Sequence, residues 1–220
     1  MSNVRAAEAV WKLTSDGSVL DYGPDLSHLL VRVMRALARG RPVAAREADR
    51  IRAALGITRD EAERFLSGVA ERNADGDVVG ILGLTLTETR HRFAVNGARM
   101  STWCAEDTLF LPAILNETAT VESTSPVSSQ TIRLTVSPDG VEEVSPASAV
   151  VSLVVVEPDR ADMSSVEAIW TTFCHHIHYF ASTEEAEQWA GGRDDIEIVP
   201  VHEAFELGRR VSSRFLAYAE

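Results

Sequence analysis

Only two cysteines, Cys104 and Cys174, occur among the 220 residues. A disulfide framework is therefore excluded, and one bridge at most could form. Lysine is nearly missing, since Lys12 is the single lysine among 21 Lys and Arg side chains. Aromatic residues make up 6% of the chain, and no apolar run approaches the ~20 residues that a membrane-spanning helix needs. The stretch Met1–Trp11 has no basic segment followed by a hydrophobic one. No secretory signal is expected, and the chain is predicted to be cytoplasmic with reduced thiols. What remains, 45% apolar and 25% charged residues, is the composition of a globular protein able to bury a core.

Positive charge is scarce in the second half. Residues 1–100 carry 15 basic and 13 acidic side chains, and residues 101–220 carry 6 and 20, so nearly all of the net −12 lies after residue 100. That half should repel nucleic acid and anionic membrane and favour the approach of cations.

The first 24 residues end in the turn-rich stretches Ser15-Asp16-Gly17 and Tyr22-Gly23-Pro24 and read as an arm with one helical turn or two. Leu26, Leu29, Leu30, Val33, Met34 and Leu37 then recur at helical spacing, and Gly40 stops that helix. A second helix is predicted from about Ala44 to Leu55. A third is opened by the capping box Thr58-Arg59-Asp60-Glu61. Alternating Leu82, Leu84 and Leu86, then Phe93-Ala94-Val95 and the turn Asn96-Gly97, predict strands. Three helices followed by a hairpin is a winged-helix-like arrangement. Its third helix, residues 57–72, carries three arginines against four acids, a poor balance for meeting phosphates, so no nucleic-acid partner is expected.

After about Arg99 the pattern changes to strands, at 99–103, 118–123, 130–136 and 148–156. A short helix should begin after Cys104, another opens at the capping box Ser182-Thr183-Glu184-Glu185, and a last one spans 201–219. The expected fold class is α+β: a winged-helix-like N-terminal helical domain over residues 1–87, then a mixed, mostly antiparallel β-rich catalytic domain with short helices over 88–220.

Two segments carry candidate chemistry. In Trp103-Cys104-Ala105-Glu106-Asp107 a strand gives way to a helix, so Cys104 is expected at or near the N-cap, where unpaired N–H groups favour thiolate. Asp107, three residues on, is within reach of the sulfur and could take its proton and deliver it elsewhere. In Phe173-Cys174-His175-His176-Ile177-His178-Tyr179 an extended backbone would put Cys174, His176 and His178 on one face. Such a strand could hold zinc or copper, with Cys104 or His202 as a further ligand. Alternatively, Asp107 caps its helix and the histidines satisfy core hydrogen bonds.

Two thiols beside a carboxylate suit a soft, thiophilic metal. The chain resembles the organomercurial (alkylmercury) lyases. The resemblance rests chiefly on Trp103-Cys104-Ala105-Glu106-Asp107-Thr108-Leu109 and Phe173-Cys174-His175-His176, with support from Leu37–Val43, Gly83–Thr89, Leu134–Pro138 and Val201–Phe205. It covers roughly residues 25–215 in the family's order. It implies protonolytic cleavage of a carbon–mercury bond to a hydrocarbon and Hg(II), with Cys104 and Cys174 as mercury-binding thiols and Asp107 as proton shuttle. It implies that no cofactor is required, that low-molecular-weight thiols sustain turnover, and that a mercuric reductase is a possible recipient of Hg(II). Trp103, Phe173 and Tyr179 are candidate walls of a dry site. Many family members carry further cysteines, one of them in the 120s region; here residues 123–129 hold none, and His175 follows Cys174. The rival readings are a non-catalytic binder of copper, zinc or mercury and a winged-helix regulator that senses metal.

If the acidic half steers cationic organomercurials, the second-order rate constant for their cleavage should fall as ionic strength rises. A rate indifferent to salt, measured by stopped flow or product release, would show that steering is not operating.

Overall fold

A computed structural model describes residues 4–218 of the chain. It opens with helix α1 (Val4–Thr14), followed by α2 (Gly23–Leu37), α3 (Ala45–Ala54) and α4 (Arg59–Val69). Helix α1 is a three-turn helix where the sequence pattern gave only one turn or two. So short a helix is marginal in isolation and draws its stability from an apolar face pressed on other elements. Ala6, Ala9 and Leu13 form that face and are buried. Helix α2 buries Leu29, Leu30, Val33, Met34 and Leu37 and ends before Gly40, whose φ of +76° is the left-handed conformation that a helix stop requires. The Thr58 hydroxyl accepts a hydrogen bond from the Glu61 N–H at 3.3 Å, as the capping box predicts.

Strands β1 (Ala70–Arg72), β2 (Val78–Ile81) and β3 (Leu84–Thr85) follow, and then β4 (His91–Val95) and β5 (Ala98–Thr102), which pair across the Asn96-Gly97 turn. Both turn residues have positive φ, as a tight two-residue hairpin demands. Helix α5 (Asp107–Leu115) leads to β6 (Ala119–Thr124), β7 (Thr131–Val136) and β8 (Val141–Ser145). These eight strands form one antiparallel sheet in the order β1-β2-β3-β5-β4-β6-β7-β8. Residues 87 and 88, where the expected division into two parts falls, lie between β3 and β4 of that sheet.

The rest of the chain runs through β9 (Val150–Val154), α6 (Val166–Thr172), β10 (Tyr179–Phe180), α7 (Thr183–Ala190), β11 (Ile196–Pro200) and α8 (Val201–Leu216). Strands β10, β9 and β11 form a second antiparallel sheet. The fold is thus mixed α+β with antiparallel sheets. Helix α5 is apolar on nearly every side, with Leu109, Phe110, Leu111, Ile114 and Leu115 all buried. It packs on α8 and α2 and against β6 and β7, and the main apolar core runs from α2 through α5 to β9 and Phe215. Among the described residues no helix is long and apolar enough to cross a membrane.

Removing the α4 cap by Thr58→Ala should cost about 1 kcal/mol of stability. Urea denaturation followed by circular dichroism would register it as a lowered midpoint at unchanged slope.

Candidate active site

The segment between β5 and α5 is fixed by its own backbone. The Trp103 N–H donates to Gly83 O at 2.8 Å, the Thr102 hydroxyl donates to Cys104 O at 2.8 Å, and the Cys104 N–H donates to Asp107 Oδ2 at 2.7 Å. Asp107 is therefore the first residue of α5, and its carboxylate folds back over the turn. The N-cap position belongs to Glu106 and not to Cys104, whose sulfur sits before the helix begins.

Cys174 arrives from the other side of the molecule. Helix α6 ends at Thr172, and residues Cys174–His176 form a single 3-10 turn. Two bonds bind this segment to the first: the Ala105 N–H donates to Ile177 O at 3.3 Å, and the hydroxyls of Thr108 and Tyr179 lie 2.7 Å apart. As a result a sulfur from each cysteine and a carboxylate oxygen of Asp107 all lie within 4.8 Å of one another, and all three residues are buried.

The 3-10 turn overturns the extended reading of the histidine segment. Alternation of side chains holds only for a strand, so His176 and His178 do not share a face with Cys174. His175 lies against Trp170 and His178 against Trp189, while His202 is exposed. Among the described residues, Cys104, Asp107 and Cys174 form the one group of three such side chains able to meet at an ion.

A cavity of about 130 Å³ opens on the two sulfurs. Its walls are mostly apolar and include Val10 and Leu13 of α1, Phe110, Ile169 and Phe215. Trp103 and Phe173 line it as expected. Tyr179 does not; it is fully buried behind Thr108. Three features were not singled out from the sequence. One is the cover that α1 provides. Another is Gly83 (φ +99°), where a Cβ would stand 2.6 Å from Asp107 Oδ1, so any side chain there would strike the carboxyl. The third is Glu106, a second buried acid in the cavity lining, whose only signal is that it adjoins Asp107 in the motif.

Burial sets the electrostatics of the site. It raises Asp107 to about 7, against the smaller opposing effect of hydrogen bonds from the Cys104 N–H, the Cys104 thiol and the Trp103 N–H. Burial likewise raises Glu106 to about 8, with the Asp107 charge adding to it. The Cys104 thiol is pushed well above its ordinary range by burial, then by Cys174 and by Asp107, so the thiolate-favouring effect expected of a helix N-terminus is outweighed. At Cys174 the hydrogen bond with Cys104 favours thiolate, yet burial and the Asp107 charge together leave the thiol raised. The site thus holds its protons, and an incoming electrophile meets thiols beside an acid.

The family model for alkylmercury lyase, MerB, matches residues 84–213. An alkylmercury lyase of Pseudomonas putida is 38% identical over 211 residues, covering 95% of this chain and 94% of that one. One of Bacillus cereus is 35% identical over 210 residues, covering 94% and 91%. Among solved structures, the mercury-bound form of MerB2 shares the fold, with a TM-score of 0.73 at 22% identity, over 96% of this chain and 99% of that one.

Asp107 and Glu106 bind protons more tightly in the folded protein than in the unfolded chain, where carboxyls keep ordinary values. The stability this confers is complete below the unfolded values and is lost as pH rises through about 7 for Asp107 and about 8 for Glu106. The thermal midpoint of the mercury-free protein should therefore decline from about pH 7 to about pH 8, above the range in which His91, His176 and His178, all held below the ordinary histidine value chiefly by burial, add stability with rising pH. It should decline less steeply in Glu106→Gln, as scanning calorimetry across that range would register.

Proposed function

The chain belongs to the alkylmercury lyase family, and on that premise we propose that Cys104, Cys174 and Asp107 cleave the carbon–mercury bond of an organomercurial by protonolysis. The observation that carries this reading is the convergence of two buried thiols and one buried carboxyl, raised to about 7, on an apolar cavity.

One cysteine sulfur bonds to the mercury of R–Hg–X, and X leaves as H–X with that thiol's proton. The second sulfur then bonds to the same mercury as its thiol proton passes to the Asp107 carboxylate, and electron density shifts onto the carbon of R. Asp107 delivers its proton to that carbon as the carbon–mercury bond breaks. R–H departs, and Hg(II) stays between the two sulfurs. Two low-molecular-weight thiols take the Hg(II) and return protons to the cysteines. Desolvation serves the carbon step, because an acid raised to about 7 keeps its proton for transfer without losing it to water. Gly83 leaves the carboxyl the space it occupies.

A binder without catalysis would not need Asp107 in this state, which favours the lyase over the metal-binding alternative. The proposal places the reaction in the cytoplasm, where free thiols are kept reduced, with a mercuric reductase as a recipient of Hg(II) that the family resemblance suggests. It also divides the chain into a cover over residues 1–87 and a catalytic part over 88–220. Helices α1 to α4 all precede residue 70, whereas Cys104, Asp107 and Cys174 follow residue 88. The succession of α2, α3, α4 and the β1–β2 pair supports a winged-helix-like description of the first part. Its role in this reading is packing, not reading nucleic acid.

Headspace detection of hydrocarbon from a simple alkylmercury compound, with thiol present, tests the assignment. Asp107→Asn should retain Hg(II) binding while losing at least about 100-fold in cleavage rate. Cys104→Ser and Cys174→Ser should each abolish turnover. Normal cleavage by the Asn variant would remove the shuttle role, and full activity in either serine variant would remove the two-thiol mechanism.

A further inference from the structure

The cavity beside the thiols is apolar except for a few groups, and one of them has no task in the chemistry above. Glu106 lines the cavity and is 9% exposed, and its Oε2 is buried without a hydrogen-bond partner. The fold makes room for this carboxyl. Gly208 of α8 faces it, and a Cβ at residue 208 would stand 3.1 Å from Glu106 Oε1. The Trp103 indole Nε1, from another lining residue, is also buried and unpartnered. Buried polar atoms in folded proteins are nearly always paired, so unpartnered ones on two residues that line a ligand cavity mark groups that a ligand can complete.

We infer that Glu106 is a specificity-determining residue that hydrogen-bonds a hydroxyl carried on the organic group of the substrate, favouring hydroxyalkyl organomercurials over isosteric alkyl ones. This inference rests on the lyase reading of the same cavity. A hydroxyl is the matching group because it suits the carboxyl in either form: it donates to a carboxylate oxygen and accepts from a carboxylic acid. Its second valence can accept from a donor such as the Trp103 indole N–H. An ammonium group would have to shed its hydration to enter an apolar cavity, and a plain alkyl chain would leave Oε2 unpaired. Discrimination arises mainly from that second penalty, since a site with a buried polar group rejects the analogue that cannot pair with it.

The test compares 3-hydroxypropylmercury with n-butylmercury, which differ by OH in place of CH₃. The measured quantity is the ratio of their kcat/KM values, from Hg(II) release with thiol present. The wild-type protein should favour the hydroxyl compound by about tenfold. Glu106→Leu should bring the ratio to one or below, while Glu106→Gln, which still donates and accepts, should retain most of the preference. If the Leu variant does not fold, Glu106→Met supplies the same apolar comparison with an unbranched chain. A wild-type ratio of one or less overturns the inference, as does a ratio unchanged in the apolar variant or lost equally in the Gln variant. A carboxyl that served only packing, or was permanently satisfied by water, would leave the ratio unmoved. Cleavage of methylmercury by the wild-type protein is the control for the lyase reading. Its absence would defeat that reading, whereas its presence with an unselective ratio defeats only the role of Glu106.

Discussion

The bond from the Cys104 N–H to Asp107 Oδ2, 2.7 Å long, joins the end of β5 to the start of α5 and holds the carboxyl over the turn. Asp107 thereby ties the turn before the helix and stands beside the sulfurs with the same side chain. A buried carboxyl is costly to keep charged, and this one receives too few donors to offset the loss of water, so it retains its proton near neutrality. Its position depends in turn on the contacts around it. Gly83 leaves it room, and the Ala105–Ile177 bond draws the second cysteine segment alongside. Loosening any of these would move the carboxyl relative to the sulfurs, and proton transfer tolerates little such movement.

Much of the fold was legible because it is governed locally. Thr58 and Ser182 cap their helices through their own side chains, Asn96-Gly97 turns a hairpin, and Gly40 ends α2 in the conformation that glycine accepts most readily. The Trp-Cys-Ala-x-Asp motif was legible for the same reason, since three residues of spacing already bring Asp107 back to Cys104. What escaped the sequence is set by contacts between distant segments. Helix α1 packs on α8 from the opposite end of the chain. Cys174 lies in a 3-10 turn because α6 runs directly into it, and a β-like reading of the following histidines cannot anticipate that. The meeting of Gly83 and Asp107 is invisible to any local pattern.

The charge distribution separates surface from interior. The acids of residues 101–220 are mostly solvated, whereas the two acids nearest the thiols are buried and hold protons up to about 7 and about 8. An approaching cation would thus meet a negative exterior and then an apolar chamber whose acids are largely neutral. Long-range attraction and bond chemistry are handled by different carboxylates, in different dielectric surroundings.

The scarcity of lysine acquires a practical meaning from where the single one falls. Lys12 sits on α1, the helix that roofs the cavity through Val10 and Leu13, and its Nζ reaches Glu8 at 3.3 Å and Glu157 at 3.1 Å. The sequence therefore offers one side-chain amine, and it is mounted on the roof. A fluorophore coupled to that amine would report from the helix that covers the cavity, over two cysteines only 3% exposed. The protein carries its own attachment point for a reporter over its chamber.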